Sequence, residues 1–122
     1  MKQKVHSVSY LAKAEFKFKN GVYDLVALPT GAEVIKVSLE VVGNPTAGEI
    51  SVGFKDENSK NYFLILEGVN STKKEATSAR DYTATSNKVV VAEVKSSASN
   101  GEDAKGVLRV LYFLPSVIEV EY

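Results

Sequence analysis

The stretch Lys13-Ala14-Glu15-Phe16-Lys17-Phe18-Lys19 alternates charged and apolar residues. Successive side chains of a β-strand point to opposite faces of the sheet, so Ala14, Phe16 and Phe18 share one face and the charged residues share the other. A helix would scatter the two phenylalanines away from Ala14. The pattern therefore predicts a strand that is buried on one side and faces water on the other.

Asn20-Gly21 follows this strand directly. Asn-Gly favours the tight two-residue turn of a β-hairpin, so residues 22–28 are predicted to return beside the first strand. Leu28-Pro29-Thr30-Gly31-Ala32 then breaks the returning strand, because Pro29 has no N–H for a sheet and Gly31 accepts positive φ.

Alternation recurs further along the chain and predicts which residues are buried. After Val34, for example, Ile35, Val37, Leu39 and Val41 alternate with Lys36, Ser38 and Glu40. The predicted core residues are Phe16, Phe18, Ile35, Val37, Leu39, Val52, Leu64, Val91, Leu108 and Val110.

Three segments are apolar on both faces, namely residues 22–28, 62–66 and 107–114. Residues 62–66 are interpreted as a central strand for this reason. Residues 68–86 are the least regular part of the chain. There, Thr72-Lys73-Lys74-Glu75 matches a helix capping box, which allows either one short helical turn or a long surface loop.

In total, the sequence predicts eight or nine short antiparallel strands, spaced by about 8–12 residues, and no long helix. We therefore expect a single all-β domain over residues 1–122, a β-sandwich of jelly-roll-like type. The Cys–Trp–Cys core of immunoglobulin domains is excluded, because the chain has no cysteine and no tryptophan.

Charge and composition exclude several function classes. The formal net charge is +0, and no basic stripe of the kind that nucleic-acid binding needs is present. No apolar run approaches the roughly 20 residues of a membrane helix, and no apolar signal segment follows the first residues. We expect no nucleic-acid or membrane partner, and a location in the cytoplasm of the producing cell or in a particle assembled there.

Catalytic and metal-binding patterns are also missing. His6 is the only histidine, close to the N-terminus, and no nucleophile elbow or phosphate-binding loop occurs. Asp56-Glu57-Asn58 and Glu102-Asp103 could offer oxygen ligands to calcium, but neither has the spacing of a calcium loop. We therefore predict no enzyme activity, no catalytic residue, no cofactor and no metal site.

Two stretches carry a family resemblance: Tyr23-Asp24-Leu25 with Leu28-Pro29-Thr30-Gly31-Ala32-Glu33-Val34, and Ile50-Ser51-Val52-Gly53 with a polar loop before Tyr62-Phe63-Leu64. Their order resembles small virion structural proteins of tailed phages and prophages, of the head-decoration, head-fibre or tail-associated kind. The resemblance implies a non-catalytic β-sandwich subunit of a symmetric virion assembly, often a trimer.

An alternative function is a carbohydrate- or cell-surface-binding module. The six tyrosines could line a sugar platform, although tyrosines of a sandwich more often pack into the core or an interface.

Strands that are apolar on both faces, in a chain without net charge, favour self-association. We predict a homo-oligomer, with the trimer favoured as the resemblance implies, which also contacts other virion proteins. The candidate interface residues are Val26, Tyr112 and Phe113. In the alternative arrangement, residues 68–86 fold over the exposed face and keep the chain monomeric.

Overall fold

The computed structural model describes residues 2–6, 8–56, 59–78, 81–97, 104–114 and 117–121, with the backbone alone at residues 2–4, 6 and 117–121. The described residues form strands and no α-helix. The strands are β1 (Lys2–His6), β2 (Ser9–Lys17), β3 (Gly21–Leu28), β4 (Glu33–Val42), β5 (Glu49–Phe54), β6 (Leu64–Leu66), β7 (Glu75–Ser78), β8 (Tyr82–Thr83), β9 (Lys88–Lys95), β10 (Lys105–Phe113) and β11 (Val117–Glu121).

Two antiparallel sheets pack face to face. One has the order β2-β10-β4-β7, with the short β8 also paired to β4, and the other has the order β3-β9-β5-β6. An apolar core fills the space between them. The predicted all-β sandwich is confirmed; the jelly-roll topology and the single domain over residues 1–122 stay predictions.

Every residue that the alternation predicted to be buried is buried except Ile35, which is 43% exposed. Val91 is buried outside the cluster between the sheets. On β10, Leu111 pairs with Lys36 and Tyr112 pairs with Val34, so Ile35 is an extra residue in the ladder. This β-bulge reverses the phase of the strand, and Val34 and Val37 both face the core. The prediction for Ile35 was wrong because a bulge breaks strict alternation.

The predicted hairpin at Asn20-Gly21 is also wrong. β2 and β3 belong to different sheets, and the chain turns a corner between them. The Asn20 side-chain oxygen accepts hydrogen bonds from the Ser97 N–H and hydroxyl, each 2.9 Å long. Gly21 has φ of +152°, a conformation that other residues rarely adopt. The turn residues were recognised correctly, but they join two layers instead of two neighbouring strands.

Residues 62–66 do not form a central strand. β6 starts only at Leu64 and lies at the edge of the four-stranded sheet. Tyr62 and Phe63 instead join an aromatic cluster with Phe54 and Tyr82, in which ring centroids lie 4.6–6.4 Å apart. The apolar character of this segment therefore reflects side-chain packing before the strand begins.

Residues 68–86 take the loop alternative and add two short strands. The Asn70 side-chain oxygen accepts hydrogen bonds from the N–H groups of Thr72 and Lys73, both 2.8 Å long, which makes an Asx turn and not a helix. β7 and β8 then pair with β4 at the edge of the five-stranded sheet. The described part of this segment extends the sheet and does not fold over its outer face.

The two chain ends form a separate ribbon. β1 pairs with β11 in a two-stranded sheet, and the following and preceding strands, β2 and β10, pair with each other in the five-stranded sheet. A hydrogen bond of 2.9 Å from the Leu114 N–H to the Val8 carbonyl lies between the two pairings. In the ribbon register, Lys2 is opposite Glu121 and Lys4 is opposite Glu119.

Candidate interaction surface

Tyr112 and Phe113 lie at the end of β10, where the five-stranded sheet meets the terminal ribbon. Both side chains are half-buried. Tyr10, the register partner of Tyr112, stacks on it with ring centroids 6.0 Å apart. Two of the three residues predicted for an interface therefore lie side by side at one end of the sandwich.

Exposed apolar side chains gather at the same end. Of the seven large hydrophobic residues exposed in the described chain, four lie here: Val8, Tyr10, Leu11 and Ile35. Leu11 is 60% exposed and pairs with Leu111, which in turn pairs with Lys36 beside Ile35. We call this surface the apolar end; its members are Val8, Tyr10, Leu11, Ile35, Leu111, Tyr112 and Phe113.

The rest of the outer face of this sheet is charged, and two ion pairs form there within the chain. Arg109 lies 2.7 Å from Glu40, and both side chains are about one-third exposed. Lys105 lies 3.2 Å from Glu15. Exposed apolar side chains such as Leu11 and Ile35 are the part of this surface that gains most from being covered.

Val26 does not belong to this surface. Its side chain is 7% exposed and packs in the core. The pairing with β9 skips Leu25, so a second bulge shifts the phase of β3 and turns Val26 inward. The expectation that Val26 lies at an interface is therefore corrected. The predicted interface residues also left out Leu11 and Ile35, which are both exposed at this surface.

The tyrosines mostly serve packing. Tyr23, Tyr62, Tyr82 and Tyr112 are partly buried against the core, whereas Tyr10 is exposed. These five tyrosines do not form one platform, and Tyr122 lies outside the described residues.

Metal ligands do not converge in the described part of the chain, where no group of three or more His, Cys, Asp or Glu side chains could hold an ion. Of the predicted calcium alternatives, Glu57, Asn58, Glu102 and Asp103 lie outside the described residues. The described Asp56 faces Lys88 at 3.8 Å.

Comparison with solved structures finds a very similar chain. A chain in the acidic stable capsid of the Helicobacter pylori bacteriophage KHP30 is 73% identical, the match covers 100% of both chains, and the TM-score is 0.88. The chain belongs to the phage virion structural proteins. The family resemblance seen in the sequence is thereby confirmed.

Two more distant virion structural proteins share the fold. A chain of the cyanophage Pam1 capsid is 23% identical, with a TM-score of 0.65 and coverage of 88% of this chain and 85% of that chain. A chain of the Ralstonia phage GP4 capsid is 14% identical, with a TM-score of 0.59 and coverage of 92% and 88%. No family profile and no curated protein matches the chain. Within the described residues, no helix is long and apolar enough to cross a membrane.

Proposed function

We propose that the chain is a non-catalytic subunit of a phage capsid, which acts by binding copies of itself and other virion proteins. The observation that carries this proposal is the full-length identity of 73% to a chain of the KHP30 capsid. Among the kinds of virion protein that the sequence resembles, a component of the head agrees best with a match to a capsid.

The apolar end is the surface that we assign to self-association. It holds more than half of the large hydrophobic residues exposed in the described chain. Clustered apolar surface of this kind on a small protein marks an interaction site. Tyr112 and Phe113 are the central residues of the interface, and Leu11 and Ile35 extend it.

A second copy is the partner we favour, and the trimer is the number that the family resemblance implies. The described part of residues 68–86 lies at the sheet edge through β7 and β8, so it leaves the apolar end open. The formal net charge of +0 offers little repulsion between copies. Both features favour association over the monomeric alternative.

Purified particles of the phage that encodes the chain test this role. Quantitative mass spectrometry of particles purified on density gradients should find the chain at a fixed ratio to the major shell protein, and the ratio should persist after a high-salt wash. If the chain is absent from particles while it is abundant in the infected-cell lysate, the proposed role is wrong.

A further inference from the structure

The outer face of the four-stranded sheet carries a polar groove, whereas the apolar end belongs to the other sheet. It encloses about 570 Å³, which lies within the roughly 300–1,000 Å³ of small-molecule sites. Ser51 on β5 lies between its two register partners, Glu93 on β9 and Ile65 on β6, and these three residues form the floor. Lys60 and Asn61 form a wall above them.

The wall is built and held by specific contacts. At Gly53, two residues after Ser51, the backbone of residues 59–62 lies directly on the sheet, in space that any side chain would fill. The Phe63 N–H donates to the Val52 carbonyl over 2.9 Å, and Tyr62 packs on Phe54 with ring centroids 5.1 Å apart. The groove is therefore a feature of the packed structure and does not need a ligand to form.

The floor contains a polar group without an internal partner. Ser51 is 7% exposed, and no hydrogen bond engages its hydroxyl within the described residues. In the described structure, every side-chain oxygen that is fully shielded from solvent has a hydrogen-bond partner. Because the Ser51 hydroxyl has none, it must be open to solvent, and it faces the groove. A buried hydroxyl that faces a groove gains from a hydrogen bond with whatever fills it.

The charges around the floor are balanced. Two carboxylates, Glu49 and Glu93, line the groove with two ammonium groups, Lys60 and Lys95. Lys95 lies 3.5 Å from Glu93 and is the register partner of Glu49. Donors and acceptors are thus interleaved with no excess of either sign, which suits a neutral ligand with many hydroxyl groups.

A protein segment fits this groove less well. Protein interfaces are anchored by buried aromatic or large apolar side chains, whereas Ile65 is the one large apolar residue among the lining residues. The floor is a sheet face and not a sheet edge, so a strand could not add to it through backbone hydrogen bonds.

We propose that this groove binds a neutral oligosaccharide of two or three sugar units. The carboxylates accept hydrogen bonds from sugar hydroxyls, Asn61 and the lysines donate to sugar oxygens, and Ile65 contacts an apolar sugar face. The site is separate from the apolar end, so it would remain available in the assembled oligomer.

Nuclear magnetic resonance titration of the full-length chain tests the proposal. The probes are maltotriose, cellotriose and chitotriose, each added up to its solubility limit. At least one should shift the amide signals of Ser51, Asn61 and Glu93 in a saturable way, while the signals of Leu11 and Phe113 stay in place. Failure of all three probes to give saturable shifts in the groove would overturn the proposal.

Matched variants separate a binding role from a structural one. Glu93→Gln should weaken binding about tenfold, since it removes a charged hydrogen-bond acceptor, and Asn61→Ala should also weaken it. Glu15→Gln, an exposed carboxylate on the other sheet, should leave binding unchanged. If Glu93→Gln and Asn61→Ala both bind as the parent does, the groove is not a sugar site. The same conclusion holds if the amide signals of the groove change with protein concentration alone.

Discussion

The carbonyl oxygen of Ser59 lies over Gly53, in the space where any other residue would carry its Cβ. Gly53 is in β5, and its register partner on β9 is Val91. Val91 is fully buried although it is not part of the core between the sheets. The loop that rests on Gly53 therefore covers part of the outer sheet face and forms one wall of the groove.

Gly53→Ala should destabilise the protein by about 1–3 kcal/mol, because the added methyl group overpacks a filled site and pushes the loop off the sheet. Urea unfolding followed by circular dichroism measures this change. Ser51→Ala, two residues away on the same strand, is the control; it removes a hydroxyl with no partner among the described residues and should stay within about 0.5 kcal/mol of the parent. Equal losses in both variants would contradict the role assigned to Gly53.

Leu39→Ala and Ile35→Ala should differ widely although both residues are on β4. Leu39 is 2% exposed, so its truncation leaves a cavity in the core and should cost about 2–5 kcal/mol. Ile35 is 43% exposed, and its truncation should cost under about 1 kcal/mol in the isolated chain. Chemical unfolding of the two variants tests the bulge. Without the bulge, both side chains would be buried, and both variants would lose a similar and large part of the free energy of unfolding.

Alternation predicted most of the core because period-two patterns report directly which face of a strand is buried. It failed at Ile35 because β4 contains a bulge, and one extra residue reverses the phase of a strand without any mark in the sequence. Val26 was assigned to an interface because its strand is apolar on both faces, and a bulge in β3 turns it into the core instead. The Asn20-Gly21 turn was recognised, but the local sequence does not say whether a turn joins strands of one sheet or crosses between two.

The surface sites were harder to predict than the core. Tyr112 and Phe113 could be proposed because their strand is apolar on both faces. Leu11 belongs to the same surface only because β2 pairs with β10 in a register that sets it beside Leu111. The groove depends on a loop that lies on a distant strand face, and such contacts leave no periodic signal.

The ion pair between Arg109 and Glu40 should contribute modestly to stability. The two side chains are 2.7 Å apart and about one-third exposed, so solvent screens much of their attraction. A double-mutant cycle with Arg109→Gln and Glu40→Gln should give a coupling energy of about 1 kcal/mol or less, which falls as salt is added. The more exposed pair of Lys105 and Glu15 should show a smaller coupling energy. A larger coupling energy for this pair would contradict the argument that solvent exposure limits the strength of both ion pairs.

A charge placed in the apolar end should break the oligomer. Leu11→Glu puts a carboxylate among apolar side chains that we expect to be covered by another copy, where an unpaired charge is costly. Val22→Glu is the matched control, because Val22 is 46% exposed on β3, in the other sheet. Analytical ultracentrifugation should show dissociation of the first variant alone, and equal behaviour of the two would show that the interface lies elsewhere.

Light scattering of the unmodified chain over a dilution series is the most direct test of the central claim, that the protein is a subunit built for self-assembly. We predict a mass three times that of the 13.2 kDa chain at micromolar concentration, with dissociation only on strong dilution. A constant mass of 13.2 kDa at every concentration would contradict the claim.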